Sequence, residues 1–129
     1  MAKTTQLVVS LESKPGVLAR LSQTLADAGV NITGICAGET AGRGKVRLLV
    51  SDAARARDAL RAAKYRVSEE TAVILSLDNH PGALARVAEK LGRARINIRC
   101  AYATTEGGGR ATVVLSVSNA DKAESVLGG

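Results

Sequence analysis

The chain of 129 residues is rich in aliphatic side chains and poor in aromatic ones. Hydrophobic residues make up 46% and aromatic residues 2%, so a core must be built from Val, Ile, Leu and Ala. No apolar run reaches the roughly 20 residues of a membrane-spanning helix, and the start MAKTTQ has no signal-peptide stretch. We therefore predict a cytoplasmic protein without membrane contact. The net charge of +6 comes mostly from scattered arginines, a pattern typical of solvated helix faces.

The first predicted elements are a strand and an amphipathic helix. Residues 6–12 alternate apolar and polar side chains, which predicts a strand. Pro15 then marks a helix start, because the first helical turn does not need the N–H that proline lacks. Leucines follow at helical spacing, so we predict a helix over 15–28 that ends at Gly29.

Two more strands, a second helix and a short strand complete the first half. Residues 32–39 and 45–50 read as strands joined by a turn, and Ser51 or Asp52 can cap a helix that runs to Ala63. Residues 65–70 form the last predicted strand. The resulting order is β-α-β-β-α-β.

The second half repeats the first. Residues 7–31 read LVVSLESKPGVLARLSQTLADAGVN, and residues 73–97 read VILSLDNHPGALARVAEKLGRARIN. A repeat of this length suits a small domain better than a solenoid unit. We predict two domains, 1–71 and 72–129, and a second unit that lacks its final strand. The predicted elements of the second unit are strand 73–78, helix 82–94, strands 97–105 and 111–117, and a helix from Asn119 to Leu127.

This order predicts an α+β fold of two ferredoxin-like units in tandem. Each unit places two helices on one face of an antiparallel sheet. Seven strands are expected in all. Because the second unit lacks its last strand, the edge of strand 73–78 should be open, and open edges attract pairing. We expect strand 65–71 or a second chain to cover it, and we expect a homodimer.

Several functions are disfavoured by missing residues. RNA-recognition modules of this topology stack bases on aromatic side chains, whereas the corresponding strands offer only Tyr102. Any nucleic-acid binding should be weak and salt-sensitive. Cys36 and Cys100 form no CxxC pair, which favours two buried or half-buried thiols over a disulfide or metal site. With a single histidine and no catalytic set, we predict no enzyme activity, no cofactor and no metal.

One motif occurs in both halves and resembles a known family. The pattern S-L-x-x-x-P-G-x-L-A-R-x-x-x-x-L, followed by x-N-I, resembles the ACT domain, a small regulatory domain that binds amino acids and related metabolites. The resemblance covers about the whole chain, and segment 65–70 is also similar to stand-alone tandem ACT proteins of bacteria. It implies a non-catalytic amino-acid sensor whose ligand lies near a domain or subunit interface, with a metabolic enzyme or regulator as a possible partner.

The residues of the motif suit such a ligand chemically. A helix N-terminus offers N–H groups to a carboxylate, and Gly16 and Gly82 let a ligand approach the backbone. Asp78 or Glu12 could meet an ammonium group, and asparagine amides could donate or accept hydrogen bonds. The predicted ligand-binding residues are Asp78, Asn79, His80, Gly82, Ala83, Leu84, Asn97 and Ile98 in the second unit, and Glu12, Ser13, Gly16, Val17, Asn31 and Ile32 in the first.

The resemblance also favours one unit over the other. Serine-sensing ACT domains use a loop histidine, a loop asparagine and a strand asparagine; Asn79 and Asn97 match the asparagines, but Leu77 stands at the histidine position. In the first unit only Asn31 matches, so the second unit is expected to hold the better preserved site. Structural alternatives stay open: a β-α turn at each Pro-Gly, turn asparagines, an exposed His80, and a ligand-free interaction module.

Overall fold

The computed structural model describes residues 1–128. The strands are β1 (Ala2–Glu12), β2 (Ile32–Thr40), β3 (Arg43–Val50), β4 (Arg66–Asp78), β5 (Ile98–Thr104) and β6 (Arg110–Val117). The helices are α1 (Val17–Asp27), α2 (Ala53–Ala62), α3 (Ala83–Arg93) and α4 (Ala120–Val126). These elements confirm the predicted α+β class with tandem ferredoxin-like units. Among residues 1–128, no helix combines the length and apolarity needed to cross a membrane.

The N-terminal unit comprises Thr5–Glu70 and has the strand order β2-β3-β1-β4. Strand β3 pairs antiparallel with both β1 and β2. Alternate residues of β1, such as Leu7 and Val9, are fully buried together with Leu25 of α1 and Leu60 of α2. Because one cluster joins the two helices to the same set of strand residues, both helices cover one face of this sheet and leave the other face open.

The C-terminal unit comprises Met1–Thr4 and residues 71–128. Its strands follow the order β1-β4-β6-β5, and only the first residues of β1 belong to it. Val73, Leu91, Leu115 and Ala123 are fully buried in its core, against which Met1 also packs. The place of the missing final strand is therefore taken by the N-terminal residues of the chain.

Strand β4 corrects the predicted strand count. The predicted strands 65–70 and 73–78 form the single strand Arg66–Asp78, so the expectation of seven strands is wrong. No glycine or proline interrupts this stretch, and an extended chain continues where nothing breaks it. Strand 65–71 therefore cannot cover the edge of 73–78, because both belong to one strand. Its neighbours in the strand order are β6 and β1.

An ion pair fixes the N-terminal segment within the C-terminal unit. Lys3 Nζ donates a hydrogen bond to Asp121 Oδ1 of α4 at 2.6 Å, and Glu124 Oε1 lies 3.8 Å away. The hydrogen bond to Asp121 raises the pKa of Lys3, and the same bond lowers the pKa of Asp121. Since both groups are solvent-exposed, the pair orients the segment more than it stabilises the fold.

Equivalent helix ends differ between the two units. Gly29 follows α1 with φ 73°, as predicted, whereas Arg95 occupies the same place after α3 with φ 60°. This left-handed conformation is costly for a residue with a side chain and easy for glycine. Among residues 1–128, the Arg95 side chain has no hydrogen-bond or ion-pair partner that would offset the cost.

Replacing Arg95 by glycine should therefore stabilise the C-terminal unit. We expect a gain of about 0.5–1 kcal/mol in the free energy of unfolding, measured by urea denaturation. The matched control is Gly29→Ala. This variant should lose a similar amount of stability, because alanine is strained at φ 73°. Its new Cβ adds no steric clash, since it would meet only an ordinary contact at 3.7 Å. Equal stability of Arg95→Gly and the parent chain would contradict the strain argument.

Candidate functional site

A cleft opens in the N-terminal unit where the β1–α1 loop meets strand β2. Its volume is about 340 Å³. Its walls are mostly apolar, with backbone from the helix start and two charged residues, Lys14 and Glu39. The lining residues are Leu11, Ser13, Lys14, Gly16, Val17, Leu18, Ala19, Ala37, Gly38, Glu39, Gly44 and Val46. The structure thus places Ser13, Gly16 and Val17, three of the predicted residues, in one concave surface.

The first residues of α1, Val17 to Ala19, line this cleft, and the Val17 N–H donates to the Lys14 carbonyl at 3.3 Å. Gly16 is the N-cap residue, with φ 87° and ψ −10°, and no side chain caps the helix. A glycine is favoured here because the backbone conformation is left-handed. Steric crowding is not the reason, since a Cβ at this position would meet nothing within 4 Å. The first N–H groups of a helix carry partial positive charge and attract anions such as carboxylates.

Glu39 lies across the cleft from the helix start and was missed by the sequence analysis. Ser13 Oγ donates a hydrogen bond to Glu39 Oε2 at 2.7 Å, which ties the β1–α1 loop to strand β2. The second carboxylate oxygen has no hydrogen bond or ion pair within residues 1–128. The cleft therefore combines a carboxylate that can accept from an ammonium group with an uncapped helix start.

Leu18 adds an apolar surface at the same place. This second residue of α1 is 44% exposed, although leucine side chains are usually buried. Its equivalent in α3, Leu84, is 48% exposed. Exposed leucines beside both helix starts indicate that this part of each unit is available for contact with another molecule.

The remaining predicted residues of the N-terminal unit lie outside the cleft walls. The Glu12 carboxylate pairs with Lys14 Nζ at 3.4 Å. Asn31 and Ser51 bridge two chain segments: the Asn31 N–H donates to Ser51 Oγ at 3.0 Å, and the Ser51 N–H donates to the Asn31 carbonyl at 2.9 Å. Ile32 begins β2 opposite Val50 and packs against the core. The backbone of Asn31 therefore joins these two segments, and the residue does not line the cleft.

The equivalent cleft of the C-terminal unit is smaller and more basic. Its volume is about 210 Å³, and its lining residues are Leu77, Asp78, His80, Ala83, Arg86, Val87 and Lys90. Gly82, with φ 91°, caps α3 as Gly16 caps α1. The Arg86 guanidinium reaches back over this helix start, since its Nη1 would lie 3.6 Å from a Cβ at Gly82 and its Nη2 lies 3.4 Å from His80 Nε2.

The polar residues predicted for the C-terminal site are engaged with the hairpin between β5 and β6. Asn79 Nδ2 donates to Thr105 Oγ1 at 3.2 Å and to the Gly108 carbonyl at 3.0 Å. The Asp78 carboxylate forms an ion pair with Arg110 and lies 3.9 Å from His80 Nε2. These contacts hold the loop in place and use both N–H hydrogens of the Asn79 side-chain amide.

Asn97 and Ile98 repeat the structural roles of Asn31 and Ile32. The Asn97 N–H donates to Ser118 Oγ at 3.0 Å, and Ile98 packs against the core. Neither residue lines the C-terminal cleft, so the structure brings together Asp78, His80 and Ala83 but not the two asparagines. Within residues 1–128, no group of three or more His, Cys, Asp or Glu could hold a metal ion.

Comparisons with known proteins agree with this architecture. A protein from Bacteroides thetaiotaomicron is 34% identical, with 97% of this chain and 86% of the other covered at a TM-score of 0.89. The regulatory subunit of aspartate kinase from Thermus thermophilus is 22% identical, with 98% and 91% covered at a TM-score of 0.71. That of Thermus flavus is 20% identical, with 98% and 91% covered at 0.74. The two kinase subunits support the fold alone.

The family comparison covers almost the full length of the chain. The profile of the ACT domain pair matches residues 2–128. No curated protein matches the chain. Together with the two ferredoxin-like units, this match confirms the resemblance read from the repeated Pro-Gly motif. The chain belongs to the family of ACT domain pairs.

Proposed function

We propose that this chain is a cytoplasmic, non-catalytic regulatory protein that binds a small aliphatic amino acid in the cleft of its N-terminal unit. Membership of the ACT domain pair family supports an amino-acid-binding regulatory role. We choose this cleft because three features line it together: the start of α1, which has no side-chain cap, the Glu39 carboxylate and the exposed Leu18.

The three features match the three parts of an amino acid. The ligand carboxylate would accept hydrogen bonds from the N–H groups of Leu18 and Ala19, at the helix start where the helix dipole favours negative charge. The ammonium group would donate to Glu39, the lining carboxylate. The side chain would pack against Leu11, Val17 and Val46, whose apolar surfaces favour an aliphatic group over a charged one.

The C-terminal cleft is proposed as the weaker site. It is smaller, and both Arg86 and Lys90 line it. Positive side chains would hold the carboxylate of a ligand but repel its ammonium group. The reduced apolar wall leaves less surface for a side chain. This assignment reverses the preference that the asparagines suggested, because the Asn79 amide group donates to the hairpin and neither asparagine lines the cleft.

Calorimetric titration of the full chain with individual amino acids tests the proposal. Alanine, valine, leucine and isoleucine should bind and should raise the melting temperature, whereas lysine and glutamate should not. A ligand present at a hundred times its Kd adds about 2.7 kcal/mol to the stability of the native state. Absence of binding by every aliphatic amino acid at millimolar concentration would contradict the proposal.

The exposed leucines favour a second candidate, an interaction module without a small ligand. Leu18, Ile35 and Leu84 are 44%, 42% and 48% exposed. Such side chains could pack against a second copy of the chain, which would give the expected homodimer, or against a metabolic enzyme or regulator. Light scattering separates the two candidates: a dimer that is lost in Leu84→Asp, together with no amino-acid binding, would favour the interaction module.

A further inference from the structure

A second concave surface lies on the open face of the N-terminal sheet, opposite the helices. It has a volume of about 430 Å³. Its lining residues are Ser10, Cys36, Gly38, Glu39, Thr40, Arg43, Gly44, Lys45 and Arg47. Ser10 of β1 and Gly38 of β2 flank Lys45 of β3 in the strand register. Because Gly38 has no side chain, the surface is hollow in front of Lys45. We call this surface the basic cleft.

Three cations follow one another along this face. Arg43, Lys45 and Arg47 occupy alternate positions of β3, so their side chains emerge on the same side of the sheet. Their Cα atoms are spaced by about 6.6 Å, twice the rise per residue of a strand. Glu39 is the one acidic residue of the lining, and it accepts the hydrogen bond from Ser13. The cleft therefore carries an excess of positive charge.

The internal contacts leave part of this charge without a counter-ion. Arg47 Nε donates to Glu70 Oε1 at 3.0 Å, which commits this residue to the fold. Arg43 Nη2 reaches only the neutral Ser10 Oγ, at 3.4 Å. Lys45 has no hydrogen bond or ion pair within the described part of the chain. Among residues 1–128, neither Arg43 nor Lys45 is therefore paired with an acidic side chain, and Glu39 is the single acidic residue of the lining.

Comparison with the C-terminal unit shows that the fold does not require this charge. The residues at the places of Lys45 and Arg47 are Thr112 and Val114, as the strand registers of the two units show. Only the arginine at the strand start recurs, as Arg110, whose Nε donates to Ser76 Oγ at 3.1 Å. Since Arg47 is paired with Glu70 and the same sheet forms with a threonine at the place of Lys45, Lys45 is the cation whose presence needs a reason other than folding.

We propose that the basic cleft binds a small anion that carries phosphate groups. Arginine and lysine side chains form strong charge-assisted hydrogen bonds with phosphate oxygens, and the Ser10 hydroxyl can donate a further one. The volume is within the range of pockets for small molecules. The side chains of Lys45 and Arg43 lie on the face opposite the proposed amino-acid cleft, and the two clefts share only Gly38, Glu39 and Gly44 of the hairpin among their lining residues.

Titrations of the full chain with inorganic phosphate, a ribonucleoside triphosphate and citrate test the proposal. We expect the triphosphate to bind more tightly than phosphate or citrate, with an affinity that falls as salt rises. Lys45→Thr should weaken triphosphate binding by about tenfold or more, because a charge-assisted hydrogen bond is lost. Gly38→Thr should do the same by filling the hollow. Both variants introduce the residue that the C-terminal unit carries at that place, so both should fold.

Lys90→Thr is the matched control, since it removes one exposed lysine from the other unit. It should leave triphosphate affinity unchanged. An equal loss in Lys90→Thr would show a general effect of net charge and would overturn the proposal. So would tighter binding of citrate than of the triphosphate, or unchanged affinity in Lys45→Thr and Gly38→Thr. Lys45 lines neither amino-acid cleft, so amino-acid binding should be retained in Lys45→Thr, which separates this proposal from the proposed function.

Discussion

Replacement of Glu39 by glutamine should weaken binding of the aliphatic amino acid by about tenfold to a hundredfold. The charged hydrogen bond between an ammonium group and a carboxylate contributes about 1.5–3 kcal/mol, whereas a neutral amide offers a weaker acceptor. The glutamine carbonyl can still accept from Ser13, whose hydroxyl now donates to Glu39 at 2.7 Å. Loop geometry should therefore be preserved, and calorimetry should report the loss as a change in Kd at constant stability.

Glu106→Gln provides the control for this measurement. Glu106 lies in the corresponding hairpin loop of the C-terminal unit and is exposed. Its replacement changes the net charge by the same amount and should leave Kd unchanged. If both variants bind equally well, the ammonium group is not recognised by Glu39. Substitution of Gly16 is a poorer test, because any side chain at φ 87° strains the backbone as well as the site.

Truncation of Leu25 or Leu91 to alanine should give the largest loss of stability in this chain. These leucines occupy equivalent places on α1 and α3, and both are fully buried. Removal of a buried leucine side chain leaves a cavity and costs about 2–5 kcal/mol. Urea denaturation should therefore show a clear fall in the transition midpoint for each variant.

The exposed leucines of the same helices are the controls for the core variants. Leu18→Ala and Leu84→Ala make the same chemical change at positions that are 44% and 48% exposed. Each should change the free energy of unfolding by no more than about 0.5 kcal/mol. Similar losses in the exposed and buried variants would mean that the two leucines at the helix starts are also covered in solution.

The repeated pattern of apolar residues was sufficient to predict the units of the fold. Alternation at 6–12 and helical spacing after Pro15 correspond to β1 and α1, and the second copy corresponds to β4 and α3. Strand continuity was the exception. Residues 65–70 and 73–78 each read as a strand, and local periodicity does not reveal whether two strands in sequence are joined or separate.

The candidate site was less predictable, because it depends on contacts between distant residues. The Pro-Gly loop and Ser13 were visible in the repeat, but Glu39 has no counterpart in the second unit, where Thr105 stands at that place. Its role follows only when the hairpin brings it to Ser13. Conversely, Asn79 matched a family pattern, yet its amide donates to Thr105 and Gly108. Sequence matching identifies residue types and does not show whether their polar atoms already form hydrogen bonds within the protein.

The placement of Met1–Thr4 affects how this chain can be made and divided. These residues belong to the same compact unit as residues 71–128, so they are synthesised long before the strands and helices with which they pack. The first unit to fold on the ribosome would be Thr5–Glu70. At that stage Met1–Thr4 would not yet be packed, because the rest of their unit would not have been synthesised. A cut after Glu70 would separate Met1–Thr4 from the unit to which they belong. The N-terminal fragment would carry these four residues without their packing partners, and the C-terminal fragment would lack them. Neither fragment, expressed alone, would therefore contain all the residues of one compact unit and no others.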